Sequence, residues 1–258
     1  MIFSGISRVF ALTDEQQYES IGQFWDEMAT LYGLENLRGL GYAWQGNTMA
    51  YAIGLKDGDI IGLQEVRNEG ELKEYEAQAK IIAEKLGFYY YFAEAIRFDG
   101  VNPYGNALIS RYPIISAETI LIPDPLIREY DGYYETRCLL KATIDVGNDL
   151  TILVSHYGLN PDEQKNAVET VISNIGVGPC VLTGDFNVQP DNPILNPIQQ
   201  KLYDTAECFA SPKLSFPSDN PTVKIDYIFV SKDLAVDSAD IPEIISSDHR
   251  PYIATIEL

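Results

Sequence analysis

Apolar, strand-like runs that meet a carboxylate, an imidazole or an amide recur along this chain, and they constrain its fold more than any other feature. They are LQE (Glu65), ILVSH (His156), VLTGDFN (Asp185 and Asn187), KIDYIF (Asp226) and SSDH (Asp248 and His249). A short apolar run bounded by turn residues reads as a buried strand. Strands from separate parts of a sandwich can bring such ends to one rim. Taken singly, an Asp in Gly-Asp-Phe-Asn or a Glu after a strand is an ordinary turn residue. The set is less ordinary, because the chain contains 2 histidines and both fall in these motifs.

Between the motifs, short strands alternate with turns: YYYFAEAI, GNALISRYPI, ETILI, RCLLKATIDV and DLTILVSH, then YIATIEL near the end. Helices are expected at 71–86, closed by Gly87, and at 162–175. Many strands with two inserted helices read as an α/β sandwich of two sheets with outer helices.

The first 58 residues read differently. Residues 14–32 place Ile21, Phe24, Trp25, Met28 and Leu31 at helical spacing, with Thr13 or Asp14 as N-cap and Gly33 as the stop. Strand-like runs at 40–46 and 48–55 follow. Only Lys56-Asp57-Gly58 separates TMAYAIGL from DIIGLQE. That is a hairpin signal, whereas parallel strands would need a crossover of about a dozen residues or more. The stretch reads as a junction near 55–59, in the manner of a fusion, dividing the chain into 1–58 and 59–258.

The formal charge of −20 disfavours tight, sequence-independent nucleic-acid binding, which depends on basic contacts to phosphates. A small phosphorylated substrate held through a bound cation is compatible with that charge. No apolar run approaches the ~20 residues that span a bilayer. The opening MIFSGISRVFAL carries its Arg inside the apolar stretch and meets Asp14-Glu15 at once, unlike a signal peptide. Cys138, Cys180 and Cys208 lack Cys-x-x-Cys spacing and read as reduced structural thiols. A cytoplasmic protein is the expectation. Acidic groups beside an amide and two imidazoles suit a hard cation. Mg²⁺, with Mn²⁺ as the alternative, favours carboxylate oxygens and keeps several waters for a phosphate ligand.

LQEV, GNALISRYPI, SHYGLNPDEQ, GDFNVQP, KIDYIFVS and SDHRPY stand here in the order found in the endonuclease/exonuclease/phosphatase superfamily, and residues 59–258 resemble it. The resemblance implies a deoxyribonuclease I-like α/β sandwich and metal-dependent hydrolysis of a phosphoester by water. It implies Glu65 as metal ligand with Asp248 beside the metal. It further implies His156 as a donor to the phosphoryl group, and Asp185 and Asn187 as orienting the attacking water and the phosphate. His249 would be a general base or electrostatic partner, its tautomer fixed by Asp226. Asn106 would help to position the phosphoryl group. Arg137, in YYETRC, is read as a substrate contact or as half of a surface ion pair.

The N-terminal part departs from that pattern. The superfamily opens with a strand ending in an Asn that shares the metal, and no such Asn is identifiable. Placing TMAYAIG on that strand puts Ala52 at the metal position; placing RVFALTD there puts Thr13 or Asp14 near it. The second placement predicts that 8–13 pairs beside 59–65, that 39–55 forms a protruding hairpin within an atypical N-terminal βαββ segment, and that cation binding and activity are weakened. Residues 1–58 also resemble half of a gyrase-inhibitor-like small-molecule-binding domain, on the strand–helix–strand–strand pattern and its aromatics. Two functions therefore stand open: a Mg²⁺-dependent phosphoesterase acting on a small phosphoester rather than long nucleic acid, or a small-molecule-binding module joined to an inert phosphoesterase-like domain.

Overall fold

Residues 2–4, 60–72, 75–243 and 247–257 are described by the computed structural model. In chain order its strands are β1 (Ile2–Ser4), β2 (Ile60–Arg67), β3 (Tyr89–Phe98), β4 (Asn102–Ser110), β5 (Ile114–Leu121) and β6 (Cys138–Asp145). They continue with β7 (Asp149–His156), β8 (Cys180–Asp185), β9 (Leu202–Asp204), β10 (Asp226–Ser231), β11 (Ala235–Asp240) and β12 (Tyr252–Glu257). Among the described residues they form two six-stranded sheets, ordered β11-β12-β1-β2-β4-β3 and β5-β6-β7-β8-β10-β9.

One core lies between the sheets. Ile60, Leu108 and Tyr252 from the first sheet meet Leu140, Ile152, Val154, Val181 and Ile228 from the second. β8 and β10 are buried along their whole length, sending Val181, Ile228 and Val230 to this core and Leu182, Tyr227 and Phe229 to the opposite face. Three helices cover the outside among the described residues: α1 (Gln78–Leu86), α2 (Pro161–Asn174) and α3 (Asn196–Lys201). α1 buries Ala79, Ile82 and Ala83 and packs against β2, β3 and β4. α2 and α3 cover the second sheet, where Ala167, Val168, Val171 and Ile198 meet Leu139, Leu153 and Leu182. The expected two-sheet α/β sandwich with outer helices is the observed fold.

Two expectations need correction. The helix expected over 71–86 begins only at Gln78. The Asn102 side chain accepts from the backbone N–H groups of Glu71 and Leu72, at 3.1 Å each, and the Leu72 carbonyl accepts from the Tyr75 N–H at 2.9 Å. These contacts, two of them with β4, hold Glu71, Leu72 and Tyr75 in a turn, and the helix starts beyond it. The place beside β2 expected for 8–13 belongs to β1: Ile2 pairs in parallel with Ile60 and antiparallel with Ala254. The backbone at 2–4 thereby bridges β2 and β12. The expected helix at 14–32, the hairpin at 39–55, the boundary at 58 and the gyrase-inhibitor-like resemblance lie outside the described residues.

Candidate active site

Strand register lays the floor of the site. His156, the last residue of β7, pairs across a parallel ladder with Asp185, the last of β8. Asp185 pairs across an antiparallel ladder with Asp226, the first of β10. Each of the three is followed by an aromatic residue: Tyr157, Phe186 and Tyr227. Successive strand side chains point to opposite faces, so the polar trio shares one face and the rings the other. The rings stack beneath the trio, Tyr157 on Phe186 at 4.2 Å and Phe186 on Tyr227 at 5.1 Å between centroids. Gly184 lets β7 and β8 close up: a Cβ there would lie 1.8 Å from the Ser155 carbonyl oxygen.

Glu65 reaches the site through a β-bulge. Leu63 pairs with Ala107 and Val66 with Gly105, so Gln64 and Glu65 together oppose Asn106. A bulge re-aims a side chain, and here Glu65 adopts the left-handed region at φ 57. A glutamate held there stores backbone strain of a kind that clusters at functional sites. Glu65 stands beside the Tyr104 hydroxyl and, with burial as the larger cause, helps to push its pKa well above the ordinary value, while the Glu65 Oε2 is buried without a hydrogen-bond partner.

His249 is gripped from below. Its Nδ1 lies 2.8 Å from Asp226 Oδ2, and its Nε2 is 3.7 Å from Asp185 Oδ2. Burial opposes charge on this ring, but Asp226 and Asp185 outweigh it and push its pKa up to about 10. Burial also raises two of the site aspartates: Asp248 to about 7, opposed by His249 and reinforced by Glu65, and Asp185 well above the ordinary carboxylate range. The 215–218 loop scaffolds this corner. Ser215 Oγ accepts from the Asp226 N–H at 3.4 Å, the Ser215 carbonyl accepts from the Arg250 N–H at 2.8 Å, and the Phe216 ring packs 4.8 Å from the His249 ring. The Ser218 N–H donates to the Asp248 carbonyl at 2.8 Å.

On the other side, Asn187 follows Asp185 at φ 52, its N–H donating to Asp185 Oδ1 at 2.9 Å. Its side-chain amide donates to the Tyr157 carbonyl at 3.0 Å and lies 3.3 Å from His156 Nε2. Arg137 Nη1 is 3.0 Å from His156 Nδ1 and 2.6 Å from Glu135 Oε1.

These residues bound a cleft of about 700 Å³. Glu65, Arg137, His156, Asp185, Asn187, Asp248 and His249 all line it; Asp226 lies directly behind His249. Asn106 does not line it, since its amide is spent on the Cys138 carbonyl at 2.9 Å, tying β4 to β6. The Arg137–Glu135 ion pair is buried, with each side chain 10% exposed. Arg67, Tyr75, Phe98, Tyr104 and Tyr133 complete the walls. Sequence reasoning missed Tyr104, Glu135 and the 215–218 loop. Only Glu135 carried a signal, two residues before Arg137 in ETR.

Two groupings suit a hard cation. Ligand atoms of Asp185, Asp226 and His249 lie within 4.8 Å of one another, but the His249 nitrogen that faces Asp226 is engaged with it, and a cation would have to displace its proton. Glu65 and Asp248 fit better. Both line the open cleft, and the unpartnered, buried Oε2 of Glu65 calls for a positive partner.

The sequence profile of the Endonuclease/Exonuclease/phosphatase family matches residues 36–249, and the chain belongs to that family. No match was found among the curated proteins. Several solved structures share the fold. An endonuclease/exonuclease/phosphatase family protein from Leptotrichia buccalis is 20% identical, with a TM-score of 0.67 over 100% of this chain and 99% of that one. A Bacteroides thetaiotaomicron mannosyl-6-phosphatase is 18% identical, with a TM-score of 0.68 over 100% and 99%. The catalytic domain of human Nocturnin with bound sulfate is 18% identical, with a TM-score of 0.64 over 99% and 93%. Phosphoester hydrolysis is the chemistry this family performs.

Proposed function

We propose that this member of the endonuclease/exonuclease/phosphatase family uses Mg²⁺ or Mn²⁺ to hydrolyse a small phosphomonoester or phosphodiester, with water attacking phosphorus. One observation carries the reading. Glu65, strained and with its Oε2 unpartnered, and Asp248 face the same cleft as a paired His249–Asp226 and the polar ends of His156 and Asn187.

In this reading Glu65 and Asp248 hold the cation, which when bound neutralises charge on the phosphate oxygens. His249, kept protonated by Asp226, donates to a phosphoryl oxygen and stabilises the charge that develops there. A histidine so raised is a poor base. Asp185, which burial drives toward proton uptake, is the better group to orient water and take its proton. Asn187 and His156 fix the phosphoryl group by hydrogen bonding.

The small substrate follows from the walls. Arg67, Arg137 and the protonated His249 are the cationic side chains lining the cleft, Arg137 is paired with Glu135 and His249 with Asp226, and four carboxylates line the same space. A long polyanion has little to grip there. Tyr75, Phe98, Tyr104 and Tyr133 supply aromatic walls for a compact leaving group such as a sugar or a base. A mannosyl-6-phosphatase is among the structural neighbours, and a sugar phosphate is of the size the cleft takes. The test is turnover of sugar phosphates, nucleotides and bis-(p-nitrophenyl) phosphate with and without Mg²⁺ or Mn²⁺. Metal-dependent release from a small substrate, abolished in Glu65→Gln, is expected; no metal-dependent release from any of them would refute the proposal.

A further inference from the structure

A cation, rather than the carboxylate or carbonyl that commonly orients a functional imidazole, faces Nδ1 of His156. Arg137 Nη1 stands 3.0 Å from it, on a side chain only 10% exposed. A guanidinium is always charged, carries only donors and accepts nothing. Nδ1 must therefore be the bare, accepting nitrogen, and a neutral ring then bears its proton on Nε2. Two groups neighbour Nε2: Asp185 Oδ2 at 3.5 Å and the Asn187 amide nitrogen at 3.3 Å. The Asn187 amide already donates to the Tyr157 carbonyl at 3.0 Å. The Asp185 carboxylate and the open cleft are left as acceptors for the Nε2 proton.

We propose that Arg137 is a positioning residue that fixes His156 as the Nε2–H tautomer and aims that N–H into the cleft. The inference deepens the phosphoesterase reading, and its catalytic meaning rests on that reading, although the tautomer itself does not. A neutral imidazole with a fixed N–H can donate to a phosphoryl oxygen without shuttling protons. The two histidines then divide the work, one held charged by a carboxylate and one held neutral by a guanidinium.

Arg137 is itself fastened. Glu135 Oε1 lies 2.6 Å from Arg137 Nη1, and the Ile122 N–H donates to the Arg137 carbonyl at 2.9 Å. The 133–135 segment is tied to the start of α2: the Glu135 N–H donates to Glu163 Oε1 at 3.2 Å, and the Asn160 amide to the Tyr133 carbonyl at 3.0 Å. α2 follows His156 after one short turn, so both partners hang from one frame. Gly158 is required within that turn, since a Cβ there would lie 2.4 Å from the Glu163 carboxyl carbon. Burial, together with the charges of Arg137 and His249, also pushes the His156 pKa well below 6.5, as a neutral ring requires.

The experiment is long-range proton–nitrogen correlation of the imidazoles in the nitrogen-labelled intact protein at neutral pH, without metal or substrate. With 2 histidines in the chain, the spectrum of His249→Gln identifies the His156 ring. The wild type is expected to show a protonated-type Nε2 and a bare-type Nδ1. Arg137→Lys, which still donates, should keep that pattern, and Arg137→Met should lose it to the other tautomer or a mixture. An Nδ1–H or doubly protonated His156 in the wild type overturns the proposal, as does an unchanged Nε2–H pattern in Arg137→Met. Should the Met variant fail to fold, the wild-type spectrum still decides the tautomer. Because the ring is read without substrate, a protein that shows the pattern but hydrolyses no phosphoester refutes the proposed function alone.

Discussion

Asp226 Oδ2 lies 2.8 Å from His249 Nδ1, with the Asp226 side chain 0% and the His249 side chain 4% exposed. The His249 pKa is raised from 6.5 to about 10. A group raised in the folded state stabilises fully below its unfolded value and loses that contribution as pH rises through the folded value. The window here runs from about 6.5 to about 10. Breaking a buried ion pair by removing one partner costs about 3–5 kcal/mol. Asp226→Asn is therefore expected to lose about that much stability near pH 6, with the deficit shrinking toward zero above pH 10. Urea unfolding of both proteins at the two pH values checks it. An equal deficit at both would mean that His249 is not charged in the fold.

Glu65→Gln keeps shape but removes the charge that the unpartnered Oε2 carries into the cleft. Anything bound only by the folded state raises apparent stability by mass action. Saturating Mg²⁺ should raise the thermal midpoint of the parent by a few degrees and leave that of Glu65→Gln unmoved. A calorimetric scan with and without the cation reads this independently of activity. Equal shifts in the two proteins would remove Glu65 from the cation site.

Asn187 sits at φ 52, where an L side chain is strained and glycine is not. Replacing it by Ala or by Gly removes the same amide from Tyr157 and His156, but only Ala keeps a Cβ in the left-handed region, which costs roughly 1–2 kcal/mol. The usual order, Ala more stable than Gly, should invert here by about 1 kcal/mol. Chemical denaturation of the two variants decides it, and the ordinary order would show that the backbone at 187 is relaxed.

Gly184→Ala would drive a Cβ to 1.8 Å from the Ser155 carbonyl oxygen, which is backbone and cannot turn aside. Overpacking of this sort costs typically ~1–3 kcal/mol and moves backbone. The displaced residue is the neighbour of Asp185, so stability and turnover should fall together, turnover by at least about tenfold since small misplacement is costly in catalysis. A soluble Gly184→Ala variant with parental turnover would contradict the close approach of β7 and β8.

His249→Ala should lower turnover by about 10²–10³, the range for losing a donor aimed at developing charge. Parental rates in that variant would place the chemistry elsewhere.

The polar residues of the site and the fold class were written locally. HY, DF and DY after apolar runs encode strand ends with a polar face and an aromatic face, because alternation along a strand is a backbone property that needs no partner. The −20 charge likewise stood in the sequence alone. The partners were not local. Whether Asn106 reaches the cleft or braces Cys138 depends on how two sheets pack, and so does whether Arg137 meets solvent or His156. The turn at 71–72 is tied to Asn102, some thirty residues away along the chain, a partner that the helical pattern of 71–86 does not reveal. β1 lies beside β2 and pairs with β12 as well, so a strand near the far end of the chain completes that side of the sheet. Sequence determined which chemical groups stand at which strand ends; only tertiary structure decided which group each one faces, since hydrogen bonds and charges act through space over a few ångströms and the chain brings together residues it encodes far apart.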